Sequence, residues 1–111
     1  MHINIIIPTY NRSAKLERIL KTYSYWDVKP ILHILDGSDG NHLLANKKVC
    51  SFYENVIYKN YSQEFDLIDR ILDWLRNPSN PDIFFLGNDE DLFIQNYTNF
   101  ELHSIFYRSL I

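Results

Sequence analysis

The chain has 111 residues, 46% of them hydrophobic and 15% aromatic, so it is long enough for one hydrophobic core and too short for two. Its 14 acidic and 11 basic residues give a formal charge of -3, and the basic residues are scattered, which argues against a nucleic-acid-binding face. The single cysteine excludes an intramolecular disulfide and a multi-cysteine metal site, and it favours a reducing, cytoplasmic location.

The first predicted element is a strand over residues 2–7, a run rich in isoleucine that Pro8 ends. This run is too short to cross a membrane, so no membrane span is expected. From Ser13 onward, apolar residues recur with the period of an α-helix, which predicts a first helix. These apolar residues are Ala14, Leu16, Ile19, Leu20 and Tyr23.

Two further pairs of strand and helix follow. Residues 30–35 predict a second strand, and residues 41–52 a second helix. Residues 56–59 predict a third strand, after which Ser62 is the expected N-cap of an amphipathic helix. The apolar positions of that helix are Phe65, Ile68, Ile71, Leu72 and Leu75. Four aromatic residues are expected in the core rather than at a ligand, namely Phe52, Phe65, Trp74 and Phe100.

A fourth strand is predicted over residues 82–86 and a last helix over residues 97–110. Strands that alternate with helices predict an α/β fold, here a Rossmann-like three-layer sandwich with a mostly parallel sheet. Residues 1–111 are expected to form one domain. Ligands of such folds bind beyond the carboxyl ends of the strands, and three polar segments follow strands here. They are residues 9–12, 36–40 and 88–91.

The last of these segments, Asn88-Asp89-Glu90-Asp91, follows an apolar run and Gly87. Two carboxylates about 4 Å apart repel one another by roughly 4 kcal/mol at an effective dielectric constant near 20. A bound hard cation would offset this repulsion, because such cations prefer oxygen ligands. The competing interpretation is a solvated loop that caps the next helix.

The segment Pro8-Thr9-Tyr10-Asn11-Arg12, after the first strand, resembles the amino terminus of family 2 glycosyltransferases, which have the GT-A fold and use nucleotide-sugar donors. Leu35-Asp36-Gly37-Ser38 resembles the acid at the end of that family's second strand. Residues 88–91 resemble its metal-binding DxD motif. The resemblance implies a donor-binding half of a GT-A fold, a nucleotide sugar with UDP as the expected nucleotide, and hexosyl transfer to an unknown acceptor.

In that family, the first-strand loop and the second-strand acid hold the nucleobase, so the resemblance implies Thr9, Tyr10 and Asp36 as base contacts. Physical chemistry agrees, since an aromatic ring stacked on a base contributes about 1–3 kcal/mol and a carboxylate accepts from a base N–H. Arg12 could donate to a phosphate as a bidentate partner.

The resemblance also implies a metal site for Mg²⁺ or Mn²⁺. Asp89 and Asp91 match the DxD pattern best, with Asp91 as the direct metal ligand and Asp89 nearer the ribose or the metal. A cation held there would neutralise the charge that develops on the departing nucleoside diphosphate.

Enzymes of this family continue beyond the DxD motif into an acceptor-binding half that supplies the catalytic base, so the catalytic residue stays unknown here. Three explanations are open: a piece truncated after the motif, a short homologue that binds without transferring, or a subunit completed by a partner chain. Apolar surface left uncovered would favour self-association. Outside this family, the alternatives are a non-catalytic interaction domain and a receiver-like signalling domain.

Overall fold

The computed structural model describes residues 3–89, so the predicted last helix and Phe100 lie outside it. The described residues form an all-parallel four-stranded sheet and three helices, which confirms the predicted α/β class. The strands are β1 (Asn4–Thr9), β2 (Ile31–Asp36), β3 (Val56–Asn60) and β4 (Phe85–Leu86), and the helices are α1 (Ser13–Ser24), α2 (Gly40–Cys50) and α3 (Leu67–Arg76). Over residues 3–89, no helix is both long enough and apolar enough to span a membrane.

The strand order is β3-β2-β1-β4, with every neighbouring pair parallel. The chain therefore winds outward from β1 to β3 and then returns to the other side of β1. Because crossovers between parallel strands are right-handed, this reversal places α3 on the face of the sheet opposite to α1 and α2. The result is three layers, with the reversal point between β1 and β4.

One core lies between the sheet and helices α1 and α2. It is built from alternate residues of β1 and β2 together with the apolar stripe of α1 and one residue of α2. Its buried members are Ile5, Ile7, Leu16, Ile19, Leu20, Tyr23, Leu32, Ile34 and Cys50. Burial, and secondarily the Asp36 carboxylate, raise the pKa of the Cys50 thiol to about 12. Cys50 therefore stays protonated and acts as a small apolar side chain.

The second core lies between the other face of the sheet and α3. Its buried members are Ile6, Leu35, Tyr61, Ile71, Trp74 and Phe84. The Trp74 ring meets the Phe84 ring edge to face, with centroids 5.2 Å apart, and the His33 ring in the same manner at 5.0 Å. Such edge-to-face pairs are favourable beyond the area they bury, so Trp74 is the centre of this layer.

His33 is buried on β2, and its Nε2 lies 3.0 Å from the Asn4 Oδ1. Burial lowers the pKa of His33 from its ordinary value of 6.5, because the charged imidazolium is poorly solvated there. The neutral ring is the form that the fold stabilises.

We expect His33 to make the fold less stable in acid. Its folded-state pKa lies below the unfolded value, so the unfolded chain binds more protons as the pH falls below 6.5. The free energy of unfolding should therefore be constant above this pH and decrease below it. Urea titrations between about pH 5 and pH 8 would measure this slope, which His33→Gln should reduce. An unchanged slope in His33→Gln would contradict the attribution of this acid sensitivity to His33.

Several predicted details were wrong, three of them at the helices and their neighbouring aromatic residues. Helix α3 begins after Asp66 rather than Ser62, because Asp66 and Asp69 form a reciprocal capping box. The Asp66 side chain accepts from the Asp69 N–H at 2.8 Å, and the Asp69 side chain accepts from the Asp66 N–H at 3.2 Å. Phe52 is 70% exposed because α2 ends before it, and Phe65 is 39% exposed rather than in the core.

Candidate functional site

A cavity of about 530 Å³, here called the strand-end cavity, opens beyond the carboxyl ends of the strands. Ligand sites of small molecules have volumes of roughly 300–1,000 Å³, and in open parallel sheets they lie where the strand order reverses. Segments that follow β1, β2, β3 and β4 all contribute to it. Its lining residues are Pro8, Thr9, Tyr10, Arg12, Gly37, Gln63, Phe65, Asp66, Leu67, Arg70 and Asp89.

Thr9 and Asp89 join the ends of β1 and β4 within this cavity. The Thr9 hydroxyl donates to the Asp89 Oδ2 at 2.8 Å, and both residues are buried. The Arg12 Nη1 lies 3.4 Å from the other carboxylate oxygen of Asp89, and its side chain is 48% exposed. Three residues predicted for the site are therefore in direct contact, and both oxygens of Asp89 face a donor.

Tyr10 also lines the cavity and is 50% exposed. The turn after it is fixed by Asn11, whose φ of 50° lies in the left-handed region that asparagine tolerates better than most residues. The Asn11 N–H donates to the Ser38 hydroxyl at 2.7 Å, and the Asn11 Oδ1 accepts from the Asp39 N–H at 3.2 Å. The loops after β1 and β2 are thus tied together, which holds Tyr10 and Arg12 at the cavity.

Asp36 does not line the cavity, although the sequence predicted it as a base contact. Its side chain is fully buried and accepts from the Ser38 N–H at 2.9 Å, the Asn46 Nδ2 at 3.2 Å and the Tyr58 hydroxyl at 2.7 Å. Burial and the hydrogen bond to Asp36 raise the pKa of Tyr58, so its hydroxyl stays a donor. In the structure Asp36 therefore holds the loop that begins at Gly37 in place.

Arg70 is a cavity residue that the sequence-based prediction missed. It lies in the first turns of α3 and is only 5% exposed. Its Nη1 donates to the backbone carbonyls of Thr9 at 2.7 Å and Leu35 at 2.8 Å, and its Nε donates to the Asp66 carbonyl at 3.3 Å. A single guanidinium therefore links α3 to the ends of β1 and β2.

The Arg70 guanidinium packs directly against Gly37, where an added Cβ would lie 2.9 Å from its Cζ and Nη1. Burial lowers the pKa of Arg70, while the Asp36 carboxylate acts in the opposite direction, and arginine stays charged in proteins. Within residues 3–89 its hydrogen bonds, from Nη1 and Nε, all go to neutral backbone carbonyls, and no carboxylate lies within ion-pair distance of it. The cavity is therefore lined by a buried positive charge whose partners among residues 3–89 are neutral carbonyl groups, which favours a ligand with anionic groups.

The sequence does contain one signal that Arg70 is buried, namely its spacing from Trp74. It precedes Trp74 by four positions and so lies on the buried side of α3, where a charged residue needs partners. That pattern identifies a buried arginine but not the strand ends to which it donates.

The predicted metal ligands are only partly described. Within the described part of the chain, no three histidine, cysteine, aspartate or glutamate side chains are grouped so that they could hold a metal ion. Asp89 lies in the cavity, whereas Asp91 lies outside the described residues. The metal site thus stays a prediction.

No protein-family model matches this sequence, and no curated protein matches it either. The resemblance to family 2 glycosyltransferases therefore depends on the residues quoted above.

Proposed function

We propose that this chain binds a nucleoside diphosphate sugar in the strand-end cavity, as the donor-binding part of a glycosyltransferase. The strongest support is the composition of the cavity at the reversal point of the sheet. It combines two guanidinium groups, Arg12 and Arg70, with the exposed ring of Tyr10 and two aspartates, Asp66 and Asp89. A ligand with phosphate groups and a planar ring matches these groups best.

Arg12 is the residue proposed to contact phosphate. In the structure its Nη1 faces Asp89 at 3.4 Å, and its side chain is about half exposed. Water and salt reach the guanidinium and screen its part of this ion pair, whereas Asp89 is buried. A bidentate contact to phosphate would be stronger than this single contact at 3.4 Å.

Asp89, with Asp91 of the DxD-like segment, would hold Mg²⁺ or Mn²⁺. The fit within residues 3–89 is partial, since Asp89 offers one carboxylate whose oxygens already face Thr9 and Arg12. Diphosphate oxygens and water would have to complete the oxygen ligands that such cations require. When bound, the cation would act as a Lewis acid that stabilises the leaving nucleoside diphosphate.

Calorimetric titration with UDP and other nucleoside diphosphates, with and without Mn²⁺, tests this proposal. We expect binding that requires Mn²⁺ and that weakens at least tenfold in Asp89→Asn and in Asp91→Ala. The matched control is Asp27→Asn, an exposed aspartate that does not line the cavity.

Urea titration of each variant would verify that it is folded before its affinity is compared. The proposal is wrong if the wild-type chain binds none of these nucleotides under either condition. It is also wrong if binding is weak, independent of Mn²⁺ and unchanged in both cavity variants.

A further inference from the structure

The strand-end cavity has an apolar part that the sequence-based donor site does not use. Phe65 and Leu67 both line it and are 39% and 48% exposed. An exposed aromatic ring gives up much of the stabilisation that burial would provide. The same cavity is lined by the charged residues Arg12, Asp66, Arg70 and Asp89, so its surface is partly charged and partly apolar.

Phe65 is held in place from several sides. Its N–H donates to the Ser62 carbonyl at 3.1 Å, and it directly precedes the capping box that starts α3. The buried Tyr61 ring lies behind it, with ring centroids 5.3 Å apart, and the Tyr61 hydroxyl donates to Asp73 at 2.6 Å. The ring is therefore supported by the second core rather than carried on an unsupported loop, which lowers the entropy lost when a ligand packs on it.

Tyr10 and Phe65 reach the cavity from different connections, one after β1 and the other before α3. An aliphatic ligand would require a continuous apolar surface, which the charged residues of this cavity interrupt. A planar ring that carries phosphates suits both the apolar and the charged parts of the cavity, because its faces pack on aromatic rings while its phosphates face cations.

We propose that Phe65 is a second stacking residue for the planar ring of the ligand, alongside Tyr10. This inference rests on the proposed function, and it narrows the ligand class to phosphate-bearing molecules recognised through an aromatic ring. Phe65 then contributes affinity through its π face, and its aromatic character matters more than its apolar area.

The test compares three substitutions of Phe65 by calorimetric titration with UDP and with GDP in the presence of Mn²⁺. We expect both Phe65→Ala and Phe65→Leu to weaken binding about tenfold, because each removes the ring. Phe65→Trp should bind within about twofold of the wild type. The matched control is Phe52→Ala, which removes a ring that is 70% exposed and does not line the cavity.

A Phe65→Leu variant that binds as tightly as the wild type would overturn the inference, since apolar area alone would then suffice. Wild-type affinity in Phe65→Ala would overturn it as well. If the wild type binds no nucleoside diphosphate, with or without Mn²⁺, the proposed function and this inference both fail. If Asp89→Asn abolishes binding while Phe65→Ala does not change it, only this inference fails.

Discussion

Replacing Asp36 with alanine should lower the free energy of unfolding by about 3–5 kcal/mol, because a fully buried carboxylate with several donors is removed. The Ser38 N–H, the Asn46 Nδ2 and the Tyr58 hydroxyl would each lose a partner. Small domains are stable by only about 5–15 kcal/mol, so urea unfolding followed by circular dichroism should detect a large shift.

The matched control is Asp39→Ala in the same loop. Asp39 is exposed and its side chain forms no capping hydrogen bond with α2, so its removal should change stability by less than about 0.5 kcal/mol. A loss below about 1 kcal/mol in Asp36→Ala would contradict the structural role. If Asp36→Asn instead loses nucleotide binding at wild-type stability, the sequence-based prediction of a direct base contact would be favoured.

Arg70→Met should destabilise the fold by about 2–4 kcal/mol and weaken nucleotide binding at least tenfold. The variant leaves the carbonyls of Thr9 and Leu35 without their charged donor at the end of two strands. Removal of a buried charge recovers some desolvation energy, so the expected loss is smaller than the sum of the hydrogen bonds. Urea titration and calorimetry on the same preparation would measure both effects.

Arg76→Met is the control on the same helix, since Arg76 is exposed in the last turn of α3, and it should change neither quantity. Gly37→Ala offers an independent check, because its Cβ would displace the Arg70 guanidinium from which it would lie 2.9 Å away. The double variant should be less destabilised than the sum of the single changes, by at least about 0.5 kcal/mol. Strict additivity would show that Gly37 and Arg70 act separately.

Much of the fold could be predicted because its elements have clear local signals. The 3.6-residue period places Leu16, Ile19, Leu20 and Tyr23 on the buried side of α1, where the structure has them. Strand, turn and helix alternate with short connections, so a parallel sheet with crossovers was the natural expectation. The short strand β4 was overestimated, because an apolar run does not specify how many of its residues pair.

The predictions at α3 were wrong because two nearby residues could each serve as its N-cap. Both Ser62 and Asp66 can cap a helix, and only the partner Asp69 at the third helical position distinguishes them. Phe65 fits the apolar period of the sequence. Because α3 begins only after Asp66, however, Phe65 lies before the helix and lines the cavity. The wrong choice of N-cap thus led to a wrong prediction for the environment of Phe65.

At the candidate site, polar residues that follow strands were the predictable part. Thr9, Tyr10, Arg12 and Asp89 do meet at one cavity, because parallel strands end at the same edge of the sheet. Arg70 was not foreseen, since its partners are backbone carbonyls that no side-chain pattern reveals. The orientation of Asp36 was equally hidden, because it depends on contacts with α2 and β3 that only the folded chain creates.

The hydrogen bond between Thr9 and Asp89 joins residues 80 positions apart, which has a consequence for the order of assembly. Closing so long a loop costs entropy that is recovered only when β4 docks beside β1. The cavity is therefore complete only once β4 has joined the sheet, and a piece of the chain that lacks β4 cannot form it. A molecule bound there would stabilise the folded state by mass action and oppose the release of β4.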